Sequence, residues 1–98
     1  MPIWLWVDDV RNPVRFSFSD DWTWVKTYQE AVAMLQTGRV VQASLDHDLG
    51  QKKNGYDVVC WMEEHDVWPP DGVVVHSMNP VGKLRMMKVI AQHYSRNS

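Results

Sequence analysis

Apolar residues in this chain come in short blocks, and polar residues close each block. Ile3-Trp4-Leu5-Trp6-Val7 is apolar at every position and then meets Asp8-Asp9. A run without alternation predicts a strand covered on both faces. A second strand, short and suited to an edge, is predicted over 24–27. Val40 to Leu45 predicts a third strand that ends at Asp46, and Val73-Val74-Val75 a fourth that ends at His76-Ser77. Between the strands the apolar spacing changes to three and four. Ala31, Met34 and Leu35 predict a helix over 28–37 with Gly38 as C-cap, and Val58, Trp61 and Met62 predict one over 56–66. Asn79-Pro80 supplies the N-cap and first position of a last helix, with Leu84, Met87, Ala91 and Tyr94 as its core-facing stripe. Residues 10–22 contain Asn12-Pro13 and a Ser/Asp-rich stretch and predict an irregular loop. A polar loop is expected over 50–54, a turn at Pro69-Pro70-Asp71-Gly72 and a frayed tail over 95–98.

Strands separated by helices imply parallel pairing through right-handed crossovers. The expectation is one α/β domain over residues 1–98, with a parallel sheet of about four strands. A composition of 45% hydrophobic and 22% charged residues agrees with a soluble chain of that kind. No apolar run reaches the ~20 residues of a membrane helix. A single cysteine, Cys60, excludes a disulfide framework and a cysteine-based zinc site. With no secretory leader in the sequence, these features predict a cytoplasmic protein. A net charge of −2 excludes a general basic field for nucleic acid. The six tryptophans are expected to supply much of the core, with Met86 and Met87 beside them and Cys60 as a buried, inert thiol.

The ionisable residues change this picture most. Three predicted strands finish in Asp8-Asp9, in Asp46-His47-Asp48 and in His76-Ser77 followed by Asn79. In an open parallel sheet those ends share one edge, where ligands bind at the crevice of strand reversal. Carboxylates gathered there repel, and either a hard cation or a raised pKa offsets the repulsion. Asp8, Asp9 and Asp46 make a plausible set for Mg²⁺ or Mn²⁺, while His47 and His76 also permit Zn²⁺ or Fe²⁺. The helix opening at Asn79-Pro80-Val81-Gly82 offers free N–H groups to an anion, and Arg11, Lys83 and Arg85 can add positive charge. An imidazole titrating near about 6.5 suits general acid or base work. Each residue also has an ordinary reading: Asp48 as a loop cap, His47 and His76 as hydrogen-bonded structural residues, Asn79 as N-cap alone. His65, His93 and the Lys52-Lys53 pair receive no role. Coincidence at three strand ends is what the ordinary readings leave unexplained.

Four segments stand in order: Val7-Asp8-Asp9-Val10-Arg11-Asn12-Pro13, Ser44-Leu45-Asp46-His47-Asp48-Leu49-Gly50, Asn54-Gly55-Tyr56-Asp57, and Val75-His76-Ser77-Met78-Asn79-Pro80-Val81-Gly82. Through them nearly the whole chain resembles the cyclic-phosphate processing receiver domains of bacteria and phages. The resemblance implies a small receiver-like, flavodoxin-like domain, truncated at its C-terminus, and a cyclic phosphate of a nucleotide or RNA end as substrate. In response-regulator receivers an acidic pair after the first strand and an aspartate after the third bind Mg²⁺, and that aspartate accepts phosphate. Asp8, Asp9 and Asp46 match those positions, and Ser77 matches a small hydroxyl residue after the fourth strand. The fifth strand with its phosphate-contacting lysine is missing, and His47 and His76 are not ordinary receiver features.

The resulting expectation is a phosphoesterase that is dependent on Mg²⁺ or Mn²⁺ held by Asp8, Asp9 and Asp46. His47, His76 and Asp46 carry catalysis in this reading, and Arg11, Asp48, Ser77, Asn79, Gly82 and Lys83 hold substrate. Two alternatives stand beside it. One is a non-catalytic truncated receiver that binds a nucleotide signal or a host protein, in the host cytoplasm if phage-encoded. The other is a receiver that accepts phosphate on Asp46.

Overall fold

The computed structural model describes residues 1–17 and 21–96. The apolar blocks form β1 (Ile3–Val7), β2 (Trp22–Val25), β3 (Val40–Leu45) and β4 (Val73–Val75). The helices are α1 (Pro13–Ser17), α2 (Tyr28–Leu35), α3 (Gly55–His65) and α4 (Pro80–Arg96). All three strand pairings are parallel, in the order β2-β1-β3-β4. The chain thus steps one way from β1 to β2 and the other way from β2 to β3. That reversal opens a crevice at the C-terminal ends of β1 and β3.

The fold is the parallel α/β arrangement that the pattern predicts, in the receiver-like form that the resemblance implies, with local differences that have physical causes. Thr27 belongs to no strand: its hydroxyl accepts the Glu30 N–H at 3.1 Å and caps α2. Residues 13–17 are helical where a loop is expected. Asn12 Oδ1 accepts the Val14 N–H at 2.9 Å, so Asn12-Pro13 opens a helix as Asn79-Pro80 does. Residues 18–20 of that predicted loop, and Asn97 and Ser98 of the predicted frayed tail, lie outside the described residues. Ser95 and Arg96 continue α4 rather than fray. Asn54 and Asp57 form a capping box that starts α3 at Gly55.

Alternation along each strand separates two faces. Leu5, Val7, Val25, Ala43, Leu45 and Val73 join Ala31, Leu35, Val58, Val59, Met62, Met86 and Ile90 in one core cluster. This core is aliphatic, not tryptophan-rich as expected. Strand register puts Trp4, Trp6, Trp22 and Trp24 with Ser44 and Val74 on the opposite face, where Trp6 is buried and Trp4 and Val74 are exposed. Cys60 is half-buried, not buried. The inward stripe of α4 is Gly82, Met86 and Ile90, whereas Leu84, Met87 and Ala91 face solvent and Tyr94 is half-buried. Both stripes keep helical spacing, and the rotation is set by Gly82, whose missing side chain admits the His47 ring. Among the described residues no helix is long and apolar enough to cross a membrane.

Tyr94 ties α4 to the turn before β4, its hydroxyl donating to the Pro69 carbonyl. Burial pushes its pKa from 10.0 to about 12. The folded state therefore holds this proton more tightly, and its contribution is lost as pH rises from 10.0 to about 12. Tyr94→Phe is expected to lower stability at pH 7 by about 1 kcal/mol. Urea melts should also show a shallower alkaline loss for the variant.

Candidate functional site

Each aspartate at the crevice is fixed by the backbone that follows its strand. Asp8 leaves β1 fully buried, and its Oδ1 accepts the N–H groups of Val10 at 2.9 Å and Arg11 at 2.8 Å. This side-chain turn explains why the chain bends sharply at Asp8-Asp9. Asp8 Oδ2 accepts from His76 Nε2 at 2.9 Å. Asp46 leaves β3 nearly buried; its Oδ1 accepts the His47 N–H at 2.8 Å, and the Ser77 hydroxyl also bonds to it. Arg11 Nη1 lies 3.9 Å from Asp46 Oδ1. Asp9 is half-buried beside Gly50, which has φ +64 and whose missing Cβ leaves room for the Asp9 carboxylate.

Carboxylate oxygens of Asp8, Asp9 and Asp46 lie within 4.8 Å of one another. Burial first, and then the charge of Asp8, raise the pKa of Asp46 above the usual carboxylate range. The three carboxylates, with Arg11, Asp48 and Gly50, line a cavity of about 390 Å³ that Val10 and Met78 border. An all-oxygen donor set under mutual repulsion fits a hard divalent cation.

Neither imidazole lines this cavity. His47 sits behind its wall, with Nδ1 2.9 Å from Asp48 Oδ1 and the ring seated on Gly82. The Asn79 side-chain amide approaches His47 Nδ1 at 3.5 Å. His76 has both ring nitrogens engaged, Nε2 by Asp8 and Nδ1 by Ser44 Oγ at 2.7 Å. A carboxylate has no proton to give, so Nε2 carries the hydrogen and Nδ1 accepts from the serine hydroxyl. Burial lowers the pKa of His76, although the Asp8 hydrogen bond acts in the other direction.

The expected anion site at the start of α4 is largely occupied by the helix itself. Asn79 Oδ1 accepts the Gly82 N–H at 3.0 Å, and Ser77 Oγ accepts the Asn79 N–H at 3.0 Å. Gly82 contributes space for His47 rather than a contact with the cavity. Lys83 lies elsewhere, in a groove lined by Val73, Val74, Val75, Met87 and Ile90. Of the predicted residues, Asp8, Asp9, Arg11, Asp46 and Asp48 share the cavity, with Ser77 bonded to one of them. Sequence reasoning omits Ser44, Trp6, Trp24, Gly50, Val10 and Met78. Trp24 Nε1 donates to the Asp8 carbonyl at 2.6 Å, and Trp6 stacks on His76 at 3.9 Å with 7° between planes. The available signal was Ser44 itself, a hydroxyl inside an otherwise largely apolar strand that ends in an aspartate.

No curated protein and no solved structure matches the chain. The family model described as the cyclic-phosphate processing receiver domain matches residues 3–92.

Proposed function

The chain belongs to the cyclic-phosphate processing receiver domain family, and from that premise we propose a phosphoesterase that opens or hydrolyses a cyclic phosphate on a nucleotide or RNA end. One observation carries the proposal: carboxylates from two separate strand ends converge within 4.8 Å on the wall of a cavity of about 390 Å³. That volume is in the range of small-molecule sites, roughly 300–1,000 Å³. It suits one nucleotide unit with its phosphate.

Asp8, Asp9 and Asp46 would hold Mg²⁺ or Mn²⁺, and the all-oxygen set with both imidazoles outside the cavity disfavours Zn²⁺ and Fe²⁺. Held there, such an ion would polarise a non-bridging phosphate oxygen and acidify water. Arg11, on the cavity wall beside Asp46, binds a phosphate oxygen. The Asp48–His47 pair moves the proton: Asp48 lines the cavity, and His47 Nδ1 holds its Oδ1 at 2.9 Å. Here the aspartate meets the substrate and the histidine orients it. Ser77 and Asn79 support Asp46 and His47 from the β4–α4 connection.

The test is turnover of 2′,3′-cyclic and 3′,5′-cyclic nucleotides and cyclic dinucleotides with Mg²⁺ or Mn²⁺, read by chromatography. The expected result is a ring-opened phosphomonoester from at least one substrate and none after EDTA. Inactivity on the entire panel would overturn the proposal; a ligand-induced thermal shift without turnover would point to a binding module. A mass gain on Asp46 after acetyl phosphate would point to a phosphate-accepting receiver.

A further inference from the structure

We infer that Ser44 and His76 form a positioning relay that aims the Asp8 carboxylate at its cation, a role that rests on the metal reading above. Ser44 Oγ donates to His76 Nδ1 at 2.7 Å, and His76 Nε2 donates to Asp8 Oδ2 at 2.9 Å. The chain of bonds has the residue order of a hydrolytic triad, but its chemistry is different. Ser44 is 3% exposed on the sheet, so no substrate reaches its oxygen. His76 uses both nitrogens within the protein and keeps none for a substrate proton.

Two hydrogen bonds and one ring stack hold the imidazole in place. Trp6 of β1 stands opposite Ser44 of β3 and stacks on the His76 ring at 3.9 Å. Trp6 Nε1 donates to the Arg11 carbonyl at 2.8 Å, which ties the stack to the turn carrying Asp8 and Arg11. At the other end Asp8 Oδ1 is held by two backbone N–H groups. With Oδ1 taking two N–H groups and Oδ2 one, a lone pair of Oδ2 remains for a cation among the converging carboxylates of Asp8, Asp9 and Asp46. Partners of this kind, one bond removed from the ion, fix ligand orientation and change metal affinity on the order of 10–100-fold when lost.

The experiment titrates Mn²⁺ into metal-free protein by calorimetry and electron paramagnetic resonance, for wild type, Ser44→Ala, His76→Leu and His76→Gln, each checked by a thermal melt. Ser44→Ala removes an atom that touches neither cation nor substrate, and is expected to weaken Mn²⁺ about threefold or more, short of the full loss of a relay partner. His76→Leu is expected to weaken it on the order of tenfold or more. His76→Gln restores an N–H near the Nε2 position and should recover most of the affinity, a rescue that a role in packing alone would not give. Wild-type binding with Ser44→Ala and His76→Leu both unchanged would overturn the relay alone. Wild-type protein that takes up no Mn²⁺ would overturn the metal reading and the relay with it.

Discussion

Gly55→Ala is expected to destabilise the protein by about 3 kcal/mol or more, at the upper end of what an added methyl does in a packed interior. Gly55 is the buried first residue of α3, and its N–H donates to the His47 carbonyl at 2.8 Å. A Cβ there would overlap the Asp46 carbonyl oxygen and lie 2.9 Å from the Asp46 carbonyl carbon. The Met86 methyl, 3.0 Å away, can rotate aside, but the Asp46 carbonyl cannot. It is the peptide that links the end of β3 to the His47–Asp48 pair. Relief of the clash therefore displaces Asp46 or the start of α3, and any cation-induced thermal shift should shrink with stability. Gly38→Ala is the control: its Cβ meets open space, so only the strain of φ +73 remains, about 1 kcal/mol. Urea midpoints decide the matter, and a Gly55→Ala protein within 1 kcal/mol of wild type would show that the close approach is not there.

Asp46→Asn is expected to abolish turnover, by on the order of 10³-fold or more, while making the metal-free protein more stable. The asparagine keeps an oxygen for the His47 N–H but withdraws a charge from beside Asp8. Because burial and Asp8 raise the Asp46 pKa, the folded state binds this proton more tightly than the unfolded chain. Metal-free stability therefore falls as pH rises from the ordinary aspartate value of 3.8 through the raised value, and stays reduced at neutral pH. The substitution should recover about 1 kcal/mol there, as stabilising changes at strained active sites do. Added Mn²⁺ should raise the melting temperature of wild type and not of the variant. A variant that melts below wild type without metal would mean that Asp46 is held by attraction rather than repulsion.

Much of this was legible because strand ends carry the chemistry. Asp8, Asp9 and Asp46 are read from the boundary between apolar block and carboxylate, and parallel pairing brings those boundaries together. The rotation of α4 was not legible. Leu84, Met87 and Ala91 repeat as regularly as Gly82, Met86 and Ile90, and the two stripes are separated by tertiary contacts, such as Gly82 with His47 and Met86 with Gly55. The roles of the two histidines were equally hidden, since they depend on which atoms Ser44 and Asp48 occupy across the sheet. Tryptophan count misled in the same way: hydrophobicity says that these side chains seek cover, not which side of the sheet supplies it.

Among the described residues no strand pairing is antiparallel, and this has a kinetic consequence. No hairpin among these four strands can serve as a local nucleus, because each neighbouring strand is reached through a crossover. β1 meets its central neighbour only when Leu5 finds Ala43. A nascent chain must therefore carry β1 without its central partner until β3 has emerged, and non-local pairing of this kind should make assembly slow for a sheet of four short strands.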